Sequence, residues 1–175
     1  MLQIINQEAD RMLAMTQDLL DFSQGSVYVQ KQTVDQAAYL ERVQTVLLPN
    51  FADKNIRFSI SADGHGSIHI DPDKFLRVLV NIAGNAADVL ASGGLFEISV
   101  SHPGHIVRFA LRDNGPGIPA DIRETLFQPF VTRGKSHGTG LGMAIAKSMV
   151  EAHGGTISFE TQTGKGTTFI IEVPA

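Results

Sequence analysis

The chain contains no cysteine, which excludes disulfides and thiolate metal sites and leaves oxygen and imidazole as the ligands for any metal. It also lacks a positive balance. Fourteen Lys and Arg stand against eighteen Asp and Glu, for a formal charge of -4, and apart from one short cluster the basic residues are scattered. That leaves no electrostatic footprint for nucleic acid. No apolar run approaches membrane-spanning length, and the start "MLQIINQEADRM" lacks the basic region and apolar stretch of a signal peptide. The segment is therefore expected to be cytoplasmic and outside the membrane, any anchor belonging to another part of a full-length protein. Internal repeats and low-complexity tracts are missing as well. What is present is ordinary soluble chain: 175 residues, 43% apolar and 18% charged, long enough for one well-cored domain plus an appendage.

Along the chain, Ile5, Met12, Met15, Leu19 and Phe22 recur at helical spacing among polar positions until "SQG" ends the pattern, which predicts an amphipathic helix looking for a partner. "SVYVQKQTV" alternates like a strand, and Asp35 is placed to cap a helix running to about Ala52, with Pro49 near its end. "IRFSIS" and "SIHI" read as a pair of short antiparallel strands joined by the glycine turn "DGHG". Asp71 and Pro72 open the next helix as a cap followed by proline at its first position, and "SGG" closes it at Gly93 and Gly94. "LFEISVS" and "HIVRFALRD" predict a hairpin across "HPG". A long irregular stretch, Asn114 to His137, follows with a short helix at Ala120 to Leu126. Such a stretch inside a compact domain is usually a lid or binding loop. "GTGLGMAIAKSMVEAHGG" is a further helix, and "TISFETQ" with "GTTFIIEVP" are the closing strands. The order argues an α+β, two-layer α/β sandwich rather than a doubly wound sheet, preceded by one long helix. Its boundary falls near Gly25, dividing 1–24 from 25–175.

Three features carry chemistry. Asn81 and Asn85 stand four apart in "VLVNIAGNAADVL", on one side of a helix that gains nothing locally from either amide. Something off the helix must use them. In "DNGPGIP", Asp113 follows Val107, Phe109 and Leu111 in the alternation, so its carboxylate points toward the apolar side and needs donors from the protein or a ligand. A plain turn is the competing explanation for this glycine-rich run. "GTGLGMAIAK" puts three glycines before a helix, where free N–H groups and the helix dipole favour phosphate. It is not a P-loop, because Pro129 stands where the first glycine before "GKS" would have to be. Nor does it follow a strand in the manner of a dinucleotide fingerprint.

The ordered set "NIAGNAA", "DNGPGIP", "FQPF", "HGTGLGMAIAK" and "GKGTTFIIEVP" resembles the histidine kinase ATP-binding domain, of the superfamily shared with gyrase, the mismatch-repair ATPase and the heat-shock chaperone ATPase. The N, G1, F and G2 boxes all match, and the resemblance spans about Gln24 to Ala175. It implies the Bergerat fold: three helices on a mixed, mostly antiparallel sheet, with ATP between the asparagine helix and a lid. Carried over residue by residue, it implies that Asp113 binds the adenine amine, that Gly115 and Gly117 let the backbone pass close to the nucleotide, and that Thr167 supports the adenine side. Asn85 would ligate Mg2+, which suits a hard ion that keeps waters and phosphates as its other ligands. Gly138, Thr139, Gly140, Leu141 and Gly142 would face the phosphates. Phe127 and Phe130 would anchor the lid and pack beneath it. Arg133 and Lys135, with His137, form a basic cluster suited to charge neutralisation during phosphoryl transfer. The family commonly has lysine three positions after the magnesium asparagine, whereas this chain has Asp88.

Asn81 stands where hydrolysing relatives carry a glutamate base. An amide cannot take a proton from water, so transfer would rest on positioning and metal charge, and Asn81→Glu is expected to raise hydrolysis. None of His65, His69, His102, His105, His137 or His153 stands in an acceptor-histidine helix, and His153 reads as a helix-end structural residue. Residues 1–24 resemble the second helix of a dimerisation hairpin, with "DLLDFSQG" as the exit. The expectation is a protein-histidine kinase of a two-component phosphorelay that binds ATP and Mg2+ and takes its acceptor hairpin in cis or in trans. It would serve a response regulator and form a homodimer in the full-length protein. Two alternatives remain open: a catalytically silent nucleotide-binding module that regulates a partner, and an anti-sigma-type serine kinase, which the amide at Asn81 disfavours.

Overall fold

The computed structural model describes Thr16 and residues 27–64, 66–131 and 139–175. The expected first helix and the boundary near Gly25 lie outside the described residues. The chain runs β1 (Gln32–Asp35), α1 (Gln36–Ala52), β2 (Arg57–Ala62), β3 (Ser67–Ile70), α2 (Pro72–Val89), β4 (Leu95–Ser101), β5 (Ile106–Asp113), a 3-10 turn (Ala120–Ile122), α3 (Gly142–Ala152), β6 (Thr156–Gln162) and β7 (Gly166–Pro174). No helix among the described residues is long and apolar enough to cross a membrane.

Both long helices start where a capping side chain meets orphan N–H groups. Asp35 Oδ1 accepts from Ala38 N at 2.9 Å, and Asp71 Oδ1 accepts from Lys74 N at 3.1 Å with Pro72 at the first helical position. The helix α1 buries Tyr39, Leu40, Val43, Leu47 and Phe51, a spacing that keeps one stripe against the sheet. It ends at Ala52 with Pro49 in its last turn. The helix α2 buries Phe75, Leu76, Val78, Leu79, Ile82, Ala83, Ala86 and Ala87. It stops at Val89, four residues before Gly93, so the glycines sit in the following turn rather than at its end.

The main sheet has the order β2-β4-β5-β7-β6, with β2 and β4 parallel and the other pairs antiparallel. The predicted β4–β5 hairpin forms as expected, and so does the mixed, mostly antiparallel sandwich. Two expectations need correction. The strands β2 and β3 follow each other but do not pair: β2 joins the main sheet, whereas β3 pairs with β1 in a separate two-stranded sheet. The strand expected over "SVYVQKQTV" covers only its end, because residues 27–31 have no ladder partner.

One face of the sheet is apolar and meets the helices. Alternate residues Phe96, Ile98 and Val100 of β4, Val107, Phe109 and Leu111 of β5, and Phe169, Ile171 and Val173 of β7 are buried, as half-buried antiparallel strands require. Phe51 stacks on Phe96 at 4.8 Å, and Phe75 meets Phe109 at 4.8 Å. Each such fully buried ring contributes on the order of 1.5–3 kcal/mol from burial alone. These contacts fix α1 and α2 over the sheet and thereby set where their polar side chains emerge.

Candidate functional site

The last inward position of β5 belongs to Asp113, which continues the alternation of Val107, Phe109 and Leu111 and is 7% exposed. Its Oδ1 accepts from Gly115 N at 2.8 Å and from Thr167 N at 3.3 Å. Burial pushes its carboxyl above the ordinary value, opposed only in part by these two N–H groups. No cation offsets it among the described residues. A carboxylate held this way is a functional-site candidate, since the fold alone would be better served by an apolar residue.

The backbone around Asp113 is tightly built. Asn114 Oδ1 accepts from Leu95 N at 2.8 Å and fixes the turn. Gly117 has φ +77°, and a Cβ there would lie 2.6 Å from Gln162 O. Gly166 has φ +109°, and a Cβ there would collide with Asp113 O. Thr167 is opposite Asp113 in the β5–β7 register and opposite Thr161 in the β6–β7 register. Thr161 Oγ1 donates to Gly166 O and shares a hydrogen bond with Thr167 Oγ1, both at 3.1 Å, while it accepts from Ile118 N at 2.9 Å. Thr161, Asn114 and Gly166 went unmarked in the sequence because their partners are set by strand register. A cleft of about 500 Å³ opens at this end of the sheet, lined by Arg112, Glu160, Lys165 and Thr168 as well as Asp113 and Thr167.

The helix α2 connects this end to the glycine-rich segment. Val89 and Leu90 lie against Gly115, at 3.6 and 3.5 Å from where its Cβ would be. Two turns earlier, Asn81 Nδ2 donates to Gly142 O at 3.0 Å. Asn81 and Val89 are eight residues apart, roughly 12 Å along the axis. Asn85 lies between them, one turn beyond Asn81, and is half-buried. Asp88, where lysine is common in the family, is exposed and sits 3.6 Å from Lys54 Nζ.

Gly140 has φ +70°, and its Cβ would lie 2.6 Å from Phe130 C, so only glycine fits against that backbone. Phe130 N donates to Gly140 O at 2.9 Å, and Phe130 itself adopts φ +65°. Thr139 Oγ1 accepts from Leu141 N at 3.3 Å, and Leu141 is buried. Phe127 packs 5.9 Å from Phe159, with the Lys147 ammonium 5.9 Å above its ring. Packing beneath the loop therefore holds for Phe127, whereas Phe130 is 64% exposed and serves through its backbone. Arg133, Lys135, His137 and Gly138 lie outside the described residues. Among the described residues no group of three His, Asp or Glu could hold a metal. His153 is buried at the end of α3, as its structural reading requires.

Residues 70–175 match the family model of histidine kinase-, DNA gyrase B- and HSP90-like ATPases. The chain is 32% identical over 173 residues to the sensor histidine kinase ZraS of Escherichia coli K12, covering 98% of this chain and 37% of that protein. Among solved structures it is similar to full-length ShkA in complex with AMPPNP, with a TM-score of 0.85 and 29% identity over 96% of this chain and 36% of that one. It is also similar to the histidine kinase ThkA in complex with the response regulator TrrA, with a TM-score of 0.79 and 25% identity over 98% of this chain and 49% of that one. The chain thus spans well under half the length of the sensor kinase ZraS. The match over residues 70–175, together with the sandwich and the buried Asp113 at its rim, makes this chain a member of the histidine kinase-, DNA gyrase B- and HSP90-like ATPase family.

Proposed function

We propose that this chain is the ATP-binding catalytic portion of a two-component sensor histidine kinase, transferring the γ-phosphoryl of Mg-ATP to a histidine on a helical hairpin supplied in cis or in trans. The observation that carries the reading is Asp113, a buried carboxylate with two backbone donors and, among the described residues, no cation against it. Its remaining acceptor capacity suits the exocyclic amine of adenine, with Thr167 beside it and Gly115 and Gly117 allowing close approach. From there α2 leads past Asn85 to Asn81 and Gly142, so a nucleotide would lie along the helix with its phosphates toward the glycine segment 138–142, including Thr139, Gly140 and Leu141. The N–H groups at the start of α3 and the helix dipole favour phosphate there.

Asn85 offers one hard amide oxygen. That fits Mg2+, which is commonly held by few protein ligands together with water and phosphate, and the bound ion would supply charge neutralisation at the phosphates. Asn81 cannot act as a base for water. Its role is to hold the start of α3, and transfer over hydrolysis follows from positioning. Arg133 and Lys135 are proposed to meet the γ-phosphate during transfer, with Phe127 and the Phe130 backbone anchoring the segment that bears them. Residues 1–24 are proposed as the second helix of a dimerisation hairpin and 25–175 as the catalytic domain. The full-length protein would be a cytoplasmic-facing homodimer serving a response regulator, as the ThkA–TrrA complex illustrates for a relative.

Calorimetric titration with AMPPNP, with and without magnesium, tests the site. Asp113→Asn should weaken binding by about tenfold or more, since one charge-assisted hydrogen bond is worth about 1.5–3 kcal/mol, and chelating magnesium should weaken it independently. Addition of a hairpin bearing an acceptor histidine should yield acid-labile, base-stable label from ATP. Binding without label would make the chain a regulatory nucleotide-binding module instead.

A further inference from the structure

The residues leading into β1 take no part in the site above, yet two of them are held by long-range polar contacts. Gln30 N donates to Asp71 Oδ2 at 2.9 Å, forty-one positions away. Lys31 Nζ donates to the His153 carbonyl at 2.7 Å, across 122 positions. The two receiving residues are bonded to each other, because Asp71 N donates to His153 Nε2 at 3.0 Å. His153 Nδ1 donates to Met149 O at 2.6 Å, which fixes the neutral tautomer with its proton on Nδ1. Phe75 closes the other side of the imidazole, edge-on at 5.5 Å.

Asp71 divides its carboxylate between two tasks. Oδ1 caps α2 through Lys74 N, and Oδ2 takes the linker through Gln30 N. Burial alone would raise this carboxyl, but the N–H groups of Gln30, Lys74 and Asp73 outweigh it and hold it below the ordinary value. Capping needs only one oxygen, and asparagine caps a helix as well as aspartate does. The second oxygen is therefore explained by the linker and not by the helix.

Asp71 stands at the first turn of α2 and His153 at the last turn of α3. The middle of α2 and the start of α3 meet at the Asn81–Gly142 hydrogen bond. Asn81 lies ten residues beyond Asp71, and Gly142 eleven residues before His153, each roughly 15–17 Å along a helix. Two packed helices joined at both places form a stiff frame. A displacement of the linker at one end must be taken up by that frame or by breaking the contacts.

We infer that Asp71 and His153 are positioning residues forming a latch, which couples the chain entering the domain at Gln30 and Lys31 to the two helices that frame the phosphate side of the site. The coupling rests on the proposed nucleotide site, whereas the latch itself does not. Amide hydrogen exchange resolved by NMR on the 175-residue chain, with AMPPNP and magnesium as the probe, separates the two. In Asp71→Asn the cap is kept and the acceptor for Gln30 N is lost. The Gln30 amide should then exchange about tenfold faster or more, as expected for a lost hydrogen bond to a charged acceptor, while the amides of Phe75 to Ile82 stay within about twofold of wild type. AMPPNP should slow Gln30 exchange in the wild type and leave it unchanged in Asp71→Asn, and by reciprocity the variant should bind AMPPNP more weakly by about the factor of that slowing. Lys31→Met, which removes the ammonium that donates to the His153 carbonyl, should also speed Gln30 exchange and lessen the effect of nucleotide. Unchanged Gln30 exchange in both variants overturns the latch. Bound AMPPNP that leaves wild-type Gln30 exchange unaltered overturns the coupling. Absence of AMPPNP binding would refute the nucleotide site instead, and the variant comparison would still decide the latch.

Discussion

Asn81→Asp replaces an amide donor by a carboxylate of the same shape 3.0 Å from the Gly142 carbonyl. The tie between α2 and α3 is lost, and two oxygens face each other in a half-buried position. Removing one partner of such a hydrogen bond costs about 1–3 kcal/mol, and the Gly142 carbonyl keeps a helical partner, so about 2 kcal/mol is a fair central value. For a domain of this size that corresponds to a fall in Tm of about 4–8 °C. The chain has no tryptophan, so far-UV circular dichroism is the suitable assay. Asn81→Leu, apolar and similar in volume, should fall less than Asp at neutral pH and show no added dependence on pH. Asn81→Glu then has two effects at once: a potential base for water and a carboxylate displaced against α3. Its hydrolysis rate should be compared at equal folded fraction. If Asn81→Asp melts within about 1 °C of wild type, where a lost hydrogen bond of about 1 kcal/mol would already give more, the amide does not hold the two helices together. The explanation of this asparagine would then fail.

Asp113→Asn tests the buried carboxylate without nucleotide. Because burial raises the Asp113 carboxyl in the folded state, ionisation destabilises the fold relative to the unfolded chain. The stability associated with the protonated form is present below the unfolded value and lost as pH rises through the folded one. The stability of wild type relative to Asp113→Asn should therefore improve on acidification from neutral pH, and urea titrations showing the reverse slope would refute the assignment. His153 has the opposite sign. Burial lowers its pKa below that of an ordinary histidine, so its contribution is present above the unfolded value and lost as pH falls through the folded one. His153→Leu should cost stability at neutral pH but lose less than wild type on acidification, as thermal melts across the range would record. Gly140→Ala meets both a φ of +70° and a backbone atom at 2.6 Å. It should cost about 1–3 kcal/mol in denaturant melts and weaken AMPPNP binding, whereas Gly84→Ala, with open space around it, should do neither.

Much of this arrangement can be read before any coordinates. Asp35, Asp71 and Pro72 mark helix starts because caps act within one turn, and Asp113 betrays itself because strand alternation forces its carboxylate inward. What escapes is whatever depends on distant pairing. "DGHG" signals a turn between β2 and β3 but cannot say that they belong to different sheets. The demand of Asn81 for a partner is local, while Gly142 stands sixty-one positions away. Gln30 sits in an alternating run that looks like strand, yet its N–H goes to the Asp71 side chain rather than to a ladder. Thr161 carries no signal at all, since its three contacts come from the β6–β7 register and from Ile118.

The hydrogen bond from Phe130 N to Gly140 O brings together two points ten positions apart, with the Gly140 backbone pressed against Phe130. Doubling the length of an insert closed at a fixed point costs only about 0.6 kcal/mol in loop entropy. The number of residues between these two points can therefore change at little cost while the sandwich keeps its register.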